Sequence, residues 1–163
     1  MIRLVLAATL AASYGIYGPS FELCERTPRE PGSEEYLNSE KYELKHWNID
    51  APGSLKDFIT RINHIRRENV ALHSDRSLHF HPTDNPHLIC YSKAPILVVV
   101  NLDPFQRQWG YVNLDLGLLG IDPARSFHAT DLLTGETYSW QGPRNFVELT
   151  PGSRPAHILR LGL

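Results

Sequence analysis

The sequence predicts an α/β segment at the front of the chain and an all-β antiparallel sandwich behind it. Three observations carry this. An apolar helical run feeds a short aromatic strand near residue 1. One amphipathic stripe of helical period follows a long polar loop. From residue 78 onward, short β-branched and aromatic runs alternate with turn residues. Twelve prolines and eleven glycines among 163 residues fit many turns and short strands.

The first element is Ile2 to Leu10, where Leu4, Val5, Leu6 and Leu10 stand among alanines as in a buried helix. With Arg3 ahead of it and small residues after it, the same run also fits a secretory leader. It is too short to span a bilayer. Tyr14-Gly15-Ile16-Tyr17-Gly18 then reads as a short buried strand, which needs parallel neighbours to cover both faces. No later segment supplies them. Residues 1 to about 50 therefore read as the tail of a larger α/β domain.

Residues 24 to 53 form a long, acidic, proline-broken loop whose Tyr36, Tyr42 and Trp47 argue against plain disorder. The clearest helix is Ser54 to Glu68, with Leu55, Phe58, Ile59, Ile62 and Ile65 on one face. Ser54 suits the cap and Asp57 the third position of a capping box. Arg61, Arg66 and Arg67 read as a solvated outer face. The strands follow at Leu78 to His81, Leu88 to Ser92, Ile96 to Asn101, Trp109 to Asn113, Ser126 to Leu132, Thr137 to Trp140, Asn145 to Leu149 and Ala156 to Leu161. Ile96 to Val100 is apolar throughout and reads as the central strand. Leu133 to Glu136 reads as a hairpin corner.

Net charge of −2 excludes an overall electrostatic footprint for nucleic acid. Cys24 and Cys90 form no CxxC pair and read as small buried residues in a reduced setting. His79 and His81, with His87 nearby, offer imidazoles without a carboxylate or cysteine at metal-ligand spacing, so they read as an exposed strand edge. Glu22 and Glu25 share one loop and cannot flank a scissile bond as a glycosidase pair. Ser13, Ser20 and Ser33 lie in no nucleophile elbow. Trp109, Tyr111 and Trp140 would stack on sugars in a carbohydrate-binding module, or pack in a core.

The run from Tyr14 to Pro19, followed by Phe21-Glu22-Leu23-Cys24-Glu25, resembles the eighth barrel strand and its loop in the α-1,4-glucan:maltose-1-phosphate maltosyltransferases of the α-amylase superfamily. The loop Pro31 to Glu43 and the helical Ile62 to Asn69 are similar to the family's next segments. Val98 to Pro104, Asp131 to Gly135 and Trp140 to Leu149 are similar to its C-terminal sandwich. The resemblance covers the whole chain. It implies that residues 1–69 are the last helix-strand-helix of a TIM-type (β/α)8 barrel and that residues 70–163 are the sandwich. It makes Ile2 to Leu10 the helix before the eighth strand. It also implies a cytoplasmic enzyme, homodimeric when intact, that moves maltosyl units from α-maltose 1-phosphate to α-1,4-glucans without metal, nucleotide cofactor or membrane. Lys41 and Tyr42 match the family's Lys-Tyr pair that holds the donor's phosphate. The family's catalytic carboxylates lie on earlier barrel strands. The chain contains none of them, so alone it is expected to be inactive.

Overall fold

The computed structural model describes residues 1–162. The chain falls into two compact units, one made of residues 1–14 and 61–163 and the other of residues 15–60.

The first unit is built on eight antiparallel strands: β1 (Leu78–His81), β2 (Leu88–Lys93), β3 (Ile96–Asn101), β4 (Gln108–Asn113), β5 (Ser126–Asp131), β6 (Thr137–Gln141), β7 (Arg144–Leu149) and β8 (Ala156–Gly162). Six of them form one sheet in the order β1-β2-β3-β8-β5-β6, and β4 pairs with β7 in a second. Each strand lies within a residue of its expected limits. The turns explain why. Side-chain oxygens of Asn85, Asp103, Asp122 and Asp131 each accept the amide two residues on, at 2.8–3.0 Å, which shapes the turns between strands. Gly135, at φ +84°, closes the β5–β6 corner.

Between the sheets lies one apolar core. Leu97, Val99, Leu159 and Phe127 of the larger sheet face Val112, Val147 and Leu149 of the smaller. The segment with Leu114, Leu116, Leu119 and Ile121 fills the space that two strands leave open. All six residues of β3 are buried. The sandwich accounts for one face of that strand, and helix α1 (Ile2–Leu10) covers the other. Two polar ties fix α1 there. Thr9 shares a 2.6 Å hydrogen bond with the buried Tyr91 hydroxyl. Lys93, only 1% exposed, donates to the Leu10 carbonyl and to Asp75, both at 2.8 Å.

Helix α2 spans Lys56–Glu68, with Ile59, Ile62 and Ile65 buried along one stripe. Its start departs from a capping box. Ser54 Oγ accepts the Lys56 amide at 3.2 Å, but the Ser54 amide donates to the Ala51 carbonyl instead of to Asp57. Arg67 is exposed, as expected of a solvated face, but Arg61 and Arg66 are not bare. Arg66 donates to the Ala8, Ala11 and Ala12 carbonyls, which α1 leaves without helical partners. Arg61 donates to the Leu132 carbonyl at 2.8 Å. A guanidinium serves several carbonyls at once, which spacing along one helix cannot reveal.

Residues 14–17 carry no strand pairing, contrary to the expectation for them. A strand exists through its ladder, and among the described residues none pairs with this segment. Cys24 also departs from expectation. It is exposed, at φ +55°, whereas Cys90 is buried as expected. No described helix is long and apolar enough to cross a membrane.

Candidate functional site

The unit of residues 15–60 is mostly turns, held by one bridge, Pro28 with Tyr36. Arg29 and Thr27 extend it through backbone bonds to Glu35 and Leu37 at 2.8 and 2.7 Å. This narrow loop sets Arg29 and Glu35 side by side. Ser39 carries the next turn, its carbonyl accepting the amides of Tyr42 and Glu43. That turn brings Lys41 and Tyr42 onto the same pair.

Four side chains form one network. Arg29 Nη1 donates to the Tyr42 hydroxyl at 2.6 Å and pairs with Glu35 at 3.1 Å. Lys41 Nζ lies 3.5 Å from the other Glu35 oxygen. Both cations also stand over the Tyr42 ring, at 4.8 Å for Arg29 and 5.1 Å for Lys41. The hydrogen bond with Tyr42 and the charge of Glu35 raise the pKa of Lys41. Desolvation pushes the Glu35 carboxyl up, but Arg29, Lys41 and Tyr42 together hold it below the usual carboxylate range. Two cations and one carboxylate leave a net positive centre, and Tyr42 is 52% exposed. Such a centre takes an anion with several oxygens.

Beside it opens a cleft of about 500 Å³, rimmed by Tyr17, Glu40, Lys41, Tyr42, Lys45 and Trp47. Glu40 orders the aromatic wall, accepting from Tyr17 at 3.3 Å, from Trp47 Nε1 at 3.0 Å and from Tyr36. Lys45 lies over the rings of Tyr36 and Trp47, at 5.8 and 5.2 Å. The cleft thus has cations on its rim, rings on its wall, Glu40 aimed by three donors, and Glu43 paired with Lys45 at 3.4 Å. Phosphates and sugars bind on surfaces of this chemistry.

The structure brings the expected pair, Lys41 and Tyr42, onto one cleft. Sequence reasoning missed Arg29 and Lys45. Arg29 lies 13 residues from Tyr42, and only the bridge of the loop places it there. Glu25 serves its own turn, accepting the Thr27 amide at 2.8 Å. Glu22 leaves one buried carboxylate oxygen without a partner.

β1 is an edge strand, as expected, and His87 is exposed, but His81 turns inward. His81 is buried, and its Nε2 is 2.9 Å from Ser92 Oγ while Nδ1 accepts the Asp115 amide at 3.3 Å. His79 lies 5.0 Å away, ring to ring. Among the described residues no cluster of histidine, cysteine and carboxylate is placed to hold a metal ion. The aromatic trio divides. Trp140 is 9% exposed and meets Phe127 edge-on in the core. Tyr111 lies under the Arg144 guanidinium at 3.7 Å. Trp109 stays 56% exposed.

Residues 80–161 match the family model described as GLGE, C-terminal. The chain belongs to this family. The GLGE relatives extend the likeness to its front. The α-1,4-glucan:maltose-1-phosphate maltosyltransferase of Methylacidiphilum infernorum (isolate V4) is 46% identical over 98% of this chain and 25% of its own length. Maltosyltransferase 1 of Streptomyces coelicolor is 52% identical over 96% of the chain and 24% of its own. The protein of Chlorobaculum tepidum is 42% identical over the full chain and 26% of its own. The chain thus spans about a quarter of the length of the curated relatives it matches. Two solved structures share its fold over 98% of its length. They are Ttha1563 of Thermus thermophilus, with TM-score 0.61 and 23% identity over 30% of that chain, and an α-amylase of Malbranchea cinnamomea, with TM-score 0.59 and 19% identity over 32%.

Proposed function

We propose that this chain is the C-terminal portion of an enzyme that transfers maltosyl units from α-maltose 1-phosphate to the non-reducing ends of α-1,4-glucans, in the making of a glycogen-like glucan. The observation that carries the reading is the Arg29–Glu35–Lys41–Tyr42 network on the rim of the aromatic cleft, in a chain whose relatives bear that activity in their names. In this reading residues 1–69 complete a (β/α)8 barrel and residues 70–163 are the sandwich appended to it. Residues 14–18 then become its eighth strand once parallel neighbours supply a ladder. The intact enzyme is a cytoplasmic homodimer.

Lys41 and Tyr42 hold the donor's phosphate. Lys41 supplies a compact positive charge and Tyr42 an O–H donor, both able to follow the charge that grows on the leaving phosphate. Arg29 adds a planar donor, and the phosphate displaces the Glu35 carboxylate that occupies these cations. The transfer is a retaining double displacement. A carboxylate on an earlier barrel strand attacks the anomeric carbon as the C–O bond to phosphate breaks. A glucan 4-hydroxyl then bonds the anomeric carbon as the ester bond to the first carboxylate breaks, and its proton passes to the second, ionised carboxylate.

The test is Lys41→Ala in the longer protein that also carries the barrel. Loss of one charge-assisted contact weakens kcat/KM for maltose 1-phosphate by about 10–100-fold while the KM for the glucan stays constant. Unchanged donor kinetics would remove Lys41 from the site.

A further inference from the structure

The two-stranded sheet has an inner and an outer face. Gly110, Val112, Asn145, Val147 and Leu149 turn inward and are buried. The outer face carries three cross-strand pairs: Trp109 with Glu148, Tyr111 with Phe146, and Asn113 with Arg144. Trp109 and Phe146 sit diagonally to each other, ring centroids 6.3 Å apart and planes 36° apart. They are 56% and 48% exposed. A two-stranded sheet that spends two such rings on solvent needs a reason, because large exposed apolar groups clustered together mark binding surfaces.

The surroundings say what kind. The rings are rigid, and they stand on strands held by a continuous ladder. Charged groups flank them, each already paired. Arg144 is fixed between the Tyr111 ring at 3.7 Å and Asp84 at 3.2 Å. Glu148 and Arg107 form an ion pair at 3.4 Å beside Trp109. The face therefore offers two apolar platforms about one sugar ring apart, with fixed donors and acceptors along both sides. A peptide or lipid surface has little use for this alternation. A glucan has apolar ring faces and a rim of equatorial hydroxyls, and it matches both parts.

We infer that the outer face of β4 and β7 is a second glucan-binding surface, on which Trp109 and Phe146 stack successive glucosyl units of an α-1,4-glucan while Arg144 and Glu148 bond their hydroxyls. It contains none of the residues of the Lys41 cleft. The choice of α-1,4-glucan as ligand rests on the maltosyltransferase reading. The surface holds a polymeric acceptor and so raises the local concentration of chain ends.

The 163-residue chain is run through native gels containing glycogen or dextran, a glucan joined mainly by α-1,6 bonds. Glycogen retards it and dextran does not. Trp109→Ala and Phe146→Ala each weaken the retardation roughly tenfold. A second readout needs no destabilising substitution. On titration with maltoheptaose, the indole N–H resonance that Trp109→Phe deletes shifts, while that of buried Trp140 stays. Absence of retardation by glycogen, retardation of the Trp109 and Phe146 variants equal to that of the unsubstituted chain, or a shift confined to other indoles would overturn the inference. If the longer enzyme transfers maltosyl units but its Trp109 resonance ignores maltoheptaose, the inference alone fails. If that resonance moves but maltose 1-phosphate is no donor, the maltosyltransferase reading fails alone.

Discussion

His81 makes the folded state sensitive to mild acid. Its Nδ1 accepts the Asp115 amide, so the neutral ring carries its proton on Nε2 and donates to Ser92. Protonating Nδ1 would set two N–H groups against each other. Burial, with the neighbouring His79 ring as a lesser cause, lowers the pKa from 6.5 to about 4, and the Asp115 carboxylate only partly opposes this. A histidine whose folded pKa is depressed gives stability that is fully present above the unfolded pKa and lost as pH falls towards the folded one. The window is thus pH 6.5 to 4. Linkage over pH 7 to 4.5 gives at most about 2.5 kcal/mol, and partial solvent access reduces this to about 1–2 kcal/mol. The unfolding free energy from urea melts of the chain across that window should include a fall of this size from His81. His81→Gln, which cannot titrate, should flatten the slope even if its own stability is lower at pH 7. Equal slopes for the two proteins between pH 6.5 and 4.5 would refute the tautomer and burial argument.

Three further outcomes follow from packing. Leu159→Ala empties a fully buried site in the shared core and should cost about 2–5 kcal/mol by urea denaturation. Lys93→Ala removes the donor shared by the Leu10 carbonyl and Asp75, and should cost about 1–3 kcal/mol, with amides of α1 exchanging fastest. Exposed Cys24 should react with a disulfide reagent at once. Cys90, whose thiol burial pushes up to about 12, should react only as the sandwich opens, giving one fast and one slow equivalent.

The strands were readable because turn residues that bond their own backbone separate several of them, as Asp103 does after β3 and Asp122 before β5. The continuous apolar run of β3 signalled burial on both faces, but not that α1 covers the second. Residues 14–17 look like a strand by composition, yet pairing requires a partner. Of the cleft, only Lys41 and Tyr42 could be marked, through the family likeness. Arg29 depends on a bridge between Pro28 and Tyr36 that no spacing announces. Phe146 was missed because its exposure follows from register, which puts it opposite Tyr111 on the outer face. The buried pair of Asp131 and His157, 2.7 Å apart, joins β5 to β8 across 26 residues and left no local trace.

Strand β8 is the last of the eight in chain order, yet it lies in the middle of the large sheet, between β3 and β5. During synthesis the β1-β2-β3 meander and the β5–β6 hairpin can each form from local contacts. Neither can close the sheet. The flanks of β3 and β5 stay unpaired, and much of the core stays wet, until residues 156–162 leave the ribosome. A nascent chain halted before that point presents two β edges, one of them apolar from Ile96 to Val100. Those edges invite pairing with other chains. The seven residues of β8 therefore act as a completion check, separating a chain that can close its sheet from one that is open to aggregation.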